Sequence, residues 1–506
     1  MTTEQILMMA AIAIYLLAML GVGVWFAKKN NSVDDFYLGG RKLGPFVTAM
    51  SAEASDMSSW LLMGLPGVAY LTGLAEASWT AIGLAVGTYL NWLIVARRIR
   101  RYSIRLDAIT IPQFFSKRWG DRKNLLSALS AVIIMVFFVP YLASGFSACG
   151  KLFGTLFDMN YGTAMVISAA VIVIYTVTGG FMAASFTDLI QSIIMTVALI
   201  VVLGFGVTRA GGIGAVMDNA RSLEGYLSLA RIHDPATGGS GTYGFLTICS
   251  LLAWGLGYFG MPHILVRFMA IEDEKKLTLS RRVATVWVVI SMAVAVFIGV
   301  VGNGMTKSGA MEQLADAETI IVRISSLISG YGAFAALIAG VILAGILAAT
   351  MSTADSQLLA ASSSVSQNLV REFFKIELDE KKSVLLARGT MVVISLVSIF
   401  LARDPNSSVF RVVSFAWAGF GAAFGPAVLF ALFWKRSNWQ GILAGMLCGG
   451  AMVFIWKYLI APMGGIWSIY ELLPAFLFNC VVTVAVSLLT PAPTKEITDI
   501  FEELRR

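Results

Sequence analysis

Residues 51–67 read SAEASDMSSWLLMGLPG and sit between two strongly apolar runs, in a chain of 506 residues that is 58% hydrophobic and 13% charged. An ionisable side chain at bilayer depth costs about 2.5–3.5 kcal/mol on insertion scales. A membrane helix carrying Glu53 and Asp56 must turn them toward protein or a water-filled cavity. Downstream, Gly64, Pro66 and Gly67 weaken helical continuity, because proline lacks an amide donor and glycine is conformationally permissive. Irregular backbone survives at that depth only where its polar groups find partners. Two readings follow. Small residues around Ala54 and Ser55 allow an unwound turn whose carbonyls bind a cation. Alternatively, the serines form a helix–helix contact with one water-exposed acid near the inner mouth.

Outward from this stretch, mean hydropathy is +0.79 and many apolar runs approach the 20 or so residues that a bilayer crossing needs. The class is an all-α integral membrane protein with about thirteen spans. They are expected near 5–26, 45–72, 76–96, 125–152, 162–178, 187–208, 243–266, 283–304, 332–356, 385–402, 410–433, 440–459 and 467–489. With the N-terminus outside, 28 of the 37 Lys and Arg residues fall on cytoplasmic segments, among them Lys28, Lys29, Arg41, Arg267 and the nine from Arg97 to Lys123. The formal charge of +7 is therefore topological, which argues against a nucleic-acid partner and puts the C-terminus in the cytoplasm. The first run lacks a basic n-region and a cleavage site, so it reads as a retained helix. The tail, TPAPTKEITDIFEELRR, reads as a short amphipathic helix. Four cysteines without paired spacing make neither a disulfide framework nor a zinc site, and two histidines make no histidine-rich centre. With no nucleophile–base pair, metal cluster or phosphate loop, the chain does not read as an enzyme.

A second interruption lies at 253–262, AWGLGYFGMP, where Gly255, Gly257, Gly260 and Pro262 fall inside the seventh expected span. It comes five spans after the first, so the two helices cross in opposite directions. Breaks at matching places of two oppositely oriented halves point to an inverted-repeat transporter with its site at the midplane. The expected units are 1–44 (first helix and cytoplasmic loop), 45–208 (first repeat), 209–242 (external loop), 243–433 (second repeat) and 434–506 (two accessory helices and tail). Trp254 and Tyr258, four apart, share a face and suit an apolar pocket with polar tips. In the ninth span, AGILAATMSTADSQLLAASSS (344–364), Ala349, Ser352 and Thr353 form one stripe. Two hydroxyls and a carbonyl are neutral oxygen donors of the kind hard cations prefer. Asp355 and Ser356 continue the stripe. Hydroxyls bonding back to their own helix account for Ser362–Ser364 but not for the charge of Asp355. Asp188, in GGFMAASFTDLIQS (179–192), either snorkels to the cytoplasm or serves a cation exit path.

From about residue 34 to 490 the chain resembles the solute:sodium symporter family, and within it the proline carriers. The likeness is carried by DDFYLGGRKLGPFVTAMSAEASDMSSWLLMGLPG, VPYLASG, GGFMAASFTD, WGLGYFGMPHIL, LAATMST and FAWAGFGAAFGP. The resemblance implies a five-plus-five inverted repeat of the leucine-transporter kind with flanking helices, in a bacterial inner membrane. It implies sodium-coupled uptake of L-proline by alternating access, with sodium as cargo, no organic cofactor and membrane lipid as its surroundings. The alternatives are another amino acid or a vitamin as solute, or a passive channel. Carried over position by position, the main sodium site is Ala54, Met57, Ala349, Ser352 and Thr353, with Asp56 required for coupling. A candidate second site uses Asp188, Ser352, Asp355 and Ser356. Solute contacts map to Ser58, Gly64, Tyr141, Trp254, Tyr258 and Pro262, and Arg41 matches a functional arginine on the cytoplasmic side. Three positions depart from the pattern: Glu53 and Ser59 replace glycines, and Met261 replaces a glutamine. Glu53 adjoins the proposed site, which bears on ion stoichiometry; Met261 adjoins the aromatic pair, which bears on the solute.

Overall fold

The computed structural model describes residues 2–27 and 33–505, so Lys28 and Lys29 lie outside the described residues. Regular structure is helical apart from one short hairpin, Arg231–His233 paired antiparallel with Ser240–Thr242, and an isolated bridge between Leu43 and Ile271. Among the described residues, ten helices are long and apolar enough to cross a bilayer. The number is eleven when Phe245–Gly260 and Pro262–Ala270, bent by 49°, are taken as one span.

That is fewer than the thirteen expected, and the difference lies in two places. Residues 45–72 are not one rod but the helices Pro45–Asp56 and Trp60–Thr72, the second opening with a π-helical turn at Trp60–Gly64, around a short irregular link at Met57 and Ser58. Two expected spans, 162–178 and 187–208, run together as Tyr161–Arg209, which has 49 residues. A straight helix of that length would measure about 74 Å, more than twice the hydrocarbon thickness. It is interrupted at Gly180, whose φ of 69° and ψ of −174° belong to glycine alone.

The helix Ala333–Ser363 runs through the middle. It packs against Tyr161–Arg209, Thr3–Ala27 and Leu125–Phe157, and residues 342–359 are all buried. A helix enclosed on every side reads as apolar all round, so its polar residues stand out by contrast. The two interrupted helices are tied at one end: Leu43 N donates to Ala270 O at 3.1 Å, and Glu272 N to Leu43 O at 3.0 Å. They also meet across Leu74–Leu90, where a Cβ on Gly87 would collide with the backbone of Gly255. Outside this core, Trp439–Ile455 and Leu472–Leu489 pair with each other and with Val409–Phe433. The tail helix Lys495–Arg505 docks on the protein. Glu503 pairs with Arg105 at 3.2 Å and Glu502 with Lys435 at 2.9 Å, while buried Phe501 lies under the Arg118 guanidinium.

Candidate functional site

The Pro45–Asp56 helix stops at Met57, whose ψ of 54° leaves the helical region. The Ser58 amide turns back to Asp56 O at 2.8 Å, and the Leu61 amide goes to Ser58 O at 3.1 Å. In an unbroken helix those two amides would serve the carbonyls of Ala54 and Met57. The break therefore releases both. Ala54 O accepts instead from Ser352 Oγ at 2.7 Å, across to the central helix. Ser352 Oγ also lies 3.2 Å from Ala349 O, to which Thr353 Oγ1 donates at 3.1 Å. Ala54, Ala349, Ser352 and Thr353 thus form one buried oxygen cluster, with Met57 at the break itself.

Asp56 joins the two interrupted helices. Its Oδ2 accepts from the Tyr258 hydroxyl, and its carbonyl accepts from Trp60 Nε1 at 3.2 Å and from the Tyr141 hydroxyl at 3.3 Å. Its other carboxyl oxygen, fully buried, has no protein partner. In the second interrupted helix, Ala253–Gly260 winds as a tight 3₁₀ stretch and Met261 is extended. The carbonyls this exposes are taken by side chains: Trp417 Nε1 donates to Trp254 O at 2.8 Å, and Asn91 Nδ2 to Tyr258 O at 3.1 Å. Such partners are what irregular backbone at bilayer depth requires. The Trp254 ring stacks on Tyr470 at 5.1 Å and lies 5.5 Å from Phe410 and 6.2 Å from Trp60.

The six expected solute residues do not share one chamber. Tyr141 and Tyr258 converge on Asp56, with Trp254 beside Trp60. Ser58 and Tyr141 line a narrow cavity with Thr353 and Gln357, whose buried amide has no partner on either atom. Pro262 lines a separate cleft with His263, Arg267 and Ser356. Gly64 packs against Phe410, leaving 3.0 Å between a Cβ there and the Phe410 Cβ. Arg41 lies away from this centre. Its guanidinium donates to Met269 O and Ala108 O, both at 2.8 Å, and to Ser103 Oγ at 3.0 Å, pinning the link between the interrupted helices to residues 103–108.

The residues of the candidate second site are held together by one the sequence reading missed. Arg267 counts there as a cytoplasmic charge, yet it is 1% exposed. It bonds Ser51 Oγ through Nε at 2.9 Å, His263 O through Nη1 at 2.7 Å and Asp188 Oδ2 through Nη2 at 3.1 Å, and Nη2 also reaches Ser356 Oγ. Ser51 Oγ donates to the same Asp188 oxygen at 2.6 Å, and Ser356 Oγ to Asp355 Oδ1 at 3.1 Å. The signal was a lone arginine in PHILVRFMA, an otherwise apolar helix. Glu53 is buried as well. Thr88 Oγ1 and Trp92 Nε1 both donate to its Oε1, at 2.9 and 2.8 Å, while Oε2 has no partner.

A family model described as "Sodium:solute symporter family" matches residues 36–449, most of the chain and every site residue above except Tyr470. The chain belongs to the sodium:solute symporter family. This symporter is 42% identical over 506 aligned positions to the sodium/proline symporter of Haemophilus influenzae, covering 97% of this chain and 96% of that protein. It is 40% identical over 492 positions to the osmoregulated proline transporter of Bacillus subtilis, again covering 97% and 96%. Among solved structures, a Na+-coupled sialic acid symporter in a substrate-bound, outward-open state superposes with a TM-score of 0.79. That match covers 97% of this chain and 99% of that one at 18% identity, a likeness of fold. Membership of the family makes the chain a multi-span membrane transporter, whose work is moving solute and not bond chemistry.

Proposed function

We propose that this symporter carries L-proline inward together with sodium by alternating access. The observation that carries the reading is the Ala54–Ser352 contact at 2.7 Å, which joins a helix break to the central hydroxyl stripe. Sodium held by Ala54 O, Met57 O, Ala349 O, Ser352 Oγ and Thr353 Oγ1 fixes the first break. Asp56 and Tyr258 transmit that order to the second break, which preorganises a site for a small zwitterion beside Trp254 and Tyr258. The solute carboxylate lies near amides freed by the breaks. Asp188, Ser352, Asp355 and Ser356 are the candidate residues of a second cation site. The names of the two bacterial relatives support proline as solute.

The full architecture belongs to the same proposal. Counting residues 45–72 as one broken crossing and dividing Tyr161–Arg209 at Gly180 gives thirteen crossings, with the N-terminus outside. Units 45–208 and 243–433 are then the two inverted repeats. One sodium moving through 100 mV supplies about 2.3 kcal/mol, and a tenfold gradient adds about 1.4 kcal/mol. Together, ~3.7 kcal/mol sustains roughly a few-hundred-fold accumulation. The test is uptake of labelled proline by purified protein in liposomes, with and without an inward sodium gradient. Accumulation only with the gradient, and competition by proline over other amino acids and vitamins, are the expected results. Uptake that neither saturates nor follows sodium would point to a channel.

A further inference from the structure

We propose that Arg267 is a built-in cation that keeps the second cation site closed to sodium and so fixes coupling at one sodium per solute. The inference rests on the sodium-symport reading above and concerns the regulation of that site. Two fully buried carboxylates, Asp188 on Tyr161–Arg209 and Asp355 on the central helix, are linked through Arg267 Nη2 and Ser356 Oγ. One oxygen on each, Asp188 Oδ1 and Asp355 Oδ2, has no protein partner. The frame of a cation site is therefore present. A positive charge already sits in it: Nη2 of Arg267 is 3.1 Å from Asp188 Oδ2 and also bonds Ser356 Oγ.

Three features make this arrangement exclude sodium. The guanidinium uses lone pairs on Asp188 and Ser356 that a metal ion would need. Two positive charges a few ångströms apart repel strongly where water is scarce. An arginine does not lose its proton, so the obstruction is not relieved by pH. Nε donates to Ser51 Oγ and Nη1 to His263 O, which hold the head group in place. Arg267, Ser356 and Pro262 also line the same cleft with Thr110, so withdrawal of the side chain would connect the carboxylates to that cleft. The arginine sits on Pro262–Ala270, the half of the interrupted helix beyond its 49° bend.

The test compares charge moved with labelled proline taken up, using the full chain in liposomes under voltage clamp by a potassium gradient, together with the steepness of the sodium dependence. The wild-type protein and Arg267→Lys are expected to move one charge per proline, with a Hill slope of one. Arg267→Gln is expected to move two, with a slope rising toward two. The double variant Arg267→Gln/Asp188→Asn, which removes both members of the buried pair, is expected to return to one. A wild-type ratio of two overturns the proposal even where Arg267→Gln does not fold. So does an active Arg267→Gln that stays at one. A wild-type protein with no sodium-driven uptake removes the symport reading itself, and this inference with it, whereas a sodium-driven protein with the wrong ratios removes only the inference.

Discussion

Replacing Ser352 by alanine separates a binding role from a structural one. In the structure the Ser352 hydroxyl makes one strong contact, 2.7 Å to Ala54 O, and a longer one to Ala349 O. Removing it leaves the buried Ala54 carbonyl without its partner, which lowers stability by about 1–3 kcal/mol. The same oxygen is one of five proposed sodium ligands, and contacts to a charged group are worth about 1.5–3 kcal/mol. Ser352→Ala should therefore raise the sodium concentration for half-maximal uptake roughly 10–150-fold, beside a cost to the fold of about 1–3 kcal/mol. Because linkage is reciprocal, apparent proline affinity at a fixed, sub-saturating sodium level should fall by up to the same factor and recover at high sodium. Sodium titrations of proline uptake in liposomes, beside thermal unfolding of the purified variant, read both quantities. Thr353→Ala should behave alike. If both variants keep the wild-type sodium requirement, these hydroxyls do not ligate the ion, whatever their proximity to Ala54.

Three further perturbations address the surroundings of that cluster. Tyr258→Phe removes the hydroxyl that Asp56 Oδ2 accepts while leaving the Asn91 contact to the Tyr258 carbonyl, so proline binding should weaken by roughly 5–150-fold, read by competition with labelled proline. Glu53→Gln keeps an oxygen for Thr88 and Trp92, so its stability should stay within about 1 kcal/mol of wild type. Glu53→Ala strands both donors and should cost about 1–3 kcal/mol in the same unfolding assay. Gly87→Ala drives a methyl group into the Gly255 backbone, so it should destabilise by about 1–3 kcal/mol or more and reduce the yield of monodisperse protein.

The second helix interruption was legible where it occurs: the Gly255–Pro262 run falls on the 3₁₀ turn at Ala253–Gly260. The first was legible only as a region: Gly64, Pro66 and Gly67 lie inside the helical stretch Trp60–Thr72, and the backbone leaves the helix earlier, at Met57, close to the small residues Ala54 and Ser55. Spacing alone placed Ala349, Ser352 and Thr353 on one face. What spacing does not contain is which neighbour that face meets, since this depends on how helices cross. Tyr258 reaching Asp56, and Ser58 and Pro262 opening onto different cavities, follow from crossing geometry. The span count fell short for a related reason. Hydropathy sees residues 162–208 as two apolar runs, whereas the backbone is helical through both and turns only at Gly180. Arg267 was hidden by the rule that served best elsewhere. Counting basic residues treats each as belonging to water, and this one belongs to Asp188.

The hydrogen bond from Ser352 Oγ to Ala54 O bears on how the proposed carrier returns empty. A broken helix releases carbonyls that must be satisfied at bilayer depth without water. For Ala54 that partner is the Ser352 hydroxyl, which has a single proton to give. Sodium at the same place has to displace that proton from Ala54 O and turn the hydroxyl so that a lone pair faces the ion. The ion therefore competes with an internal hydrogen bond, and its net affinity is the difference between the two. With serine present, the empty site remains internally paired and can recross. An alanine there leaves the Ala54 carbonyl bare in the empty state. Ser352→Ala should then slow the return step as well as weaken binding. Exchange of labelled for unlabelled proline at saturating sodium, which bypasses the empty carrier, should be less impaired than net uptake under the same conditions. Equal impairment of exchange and net uptake would show that the hydroxyl does nothing for the unloaded protein.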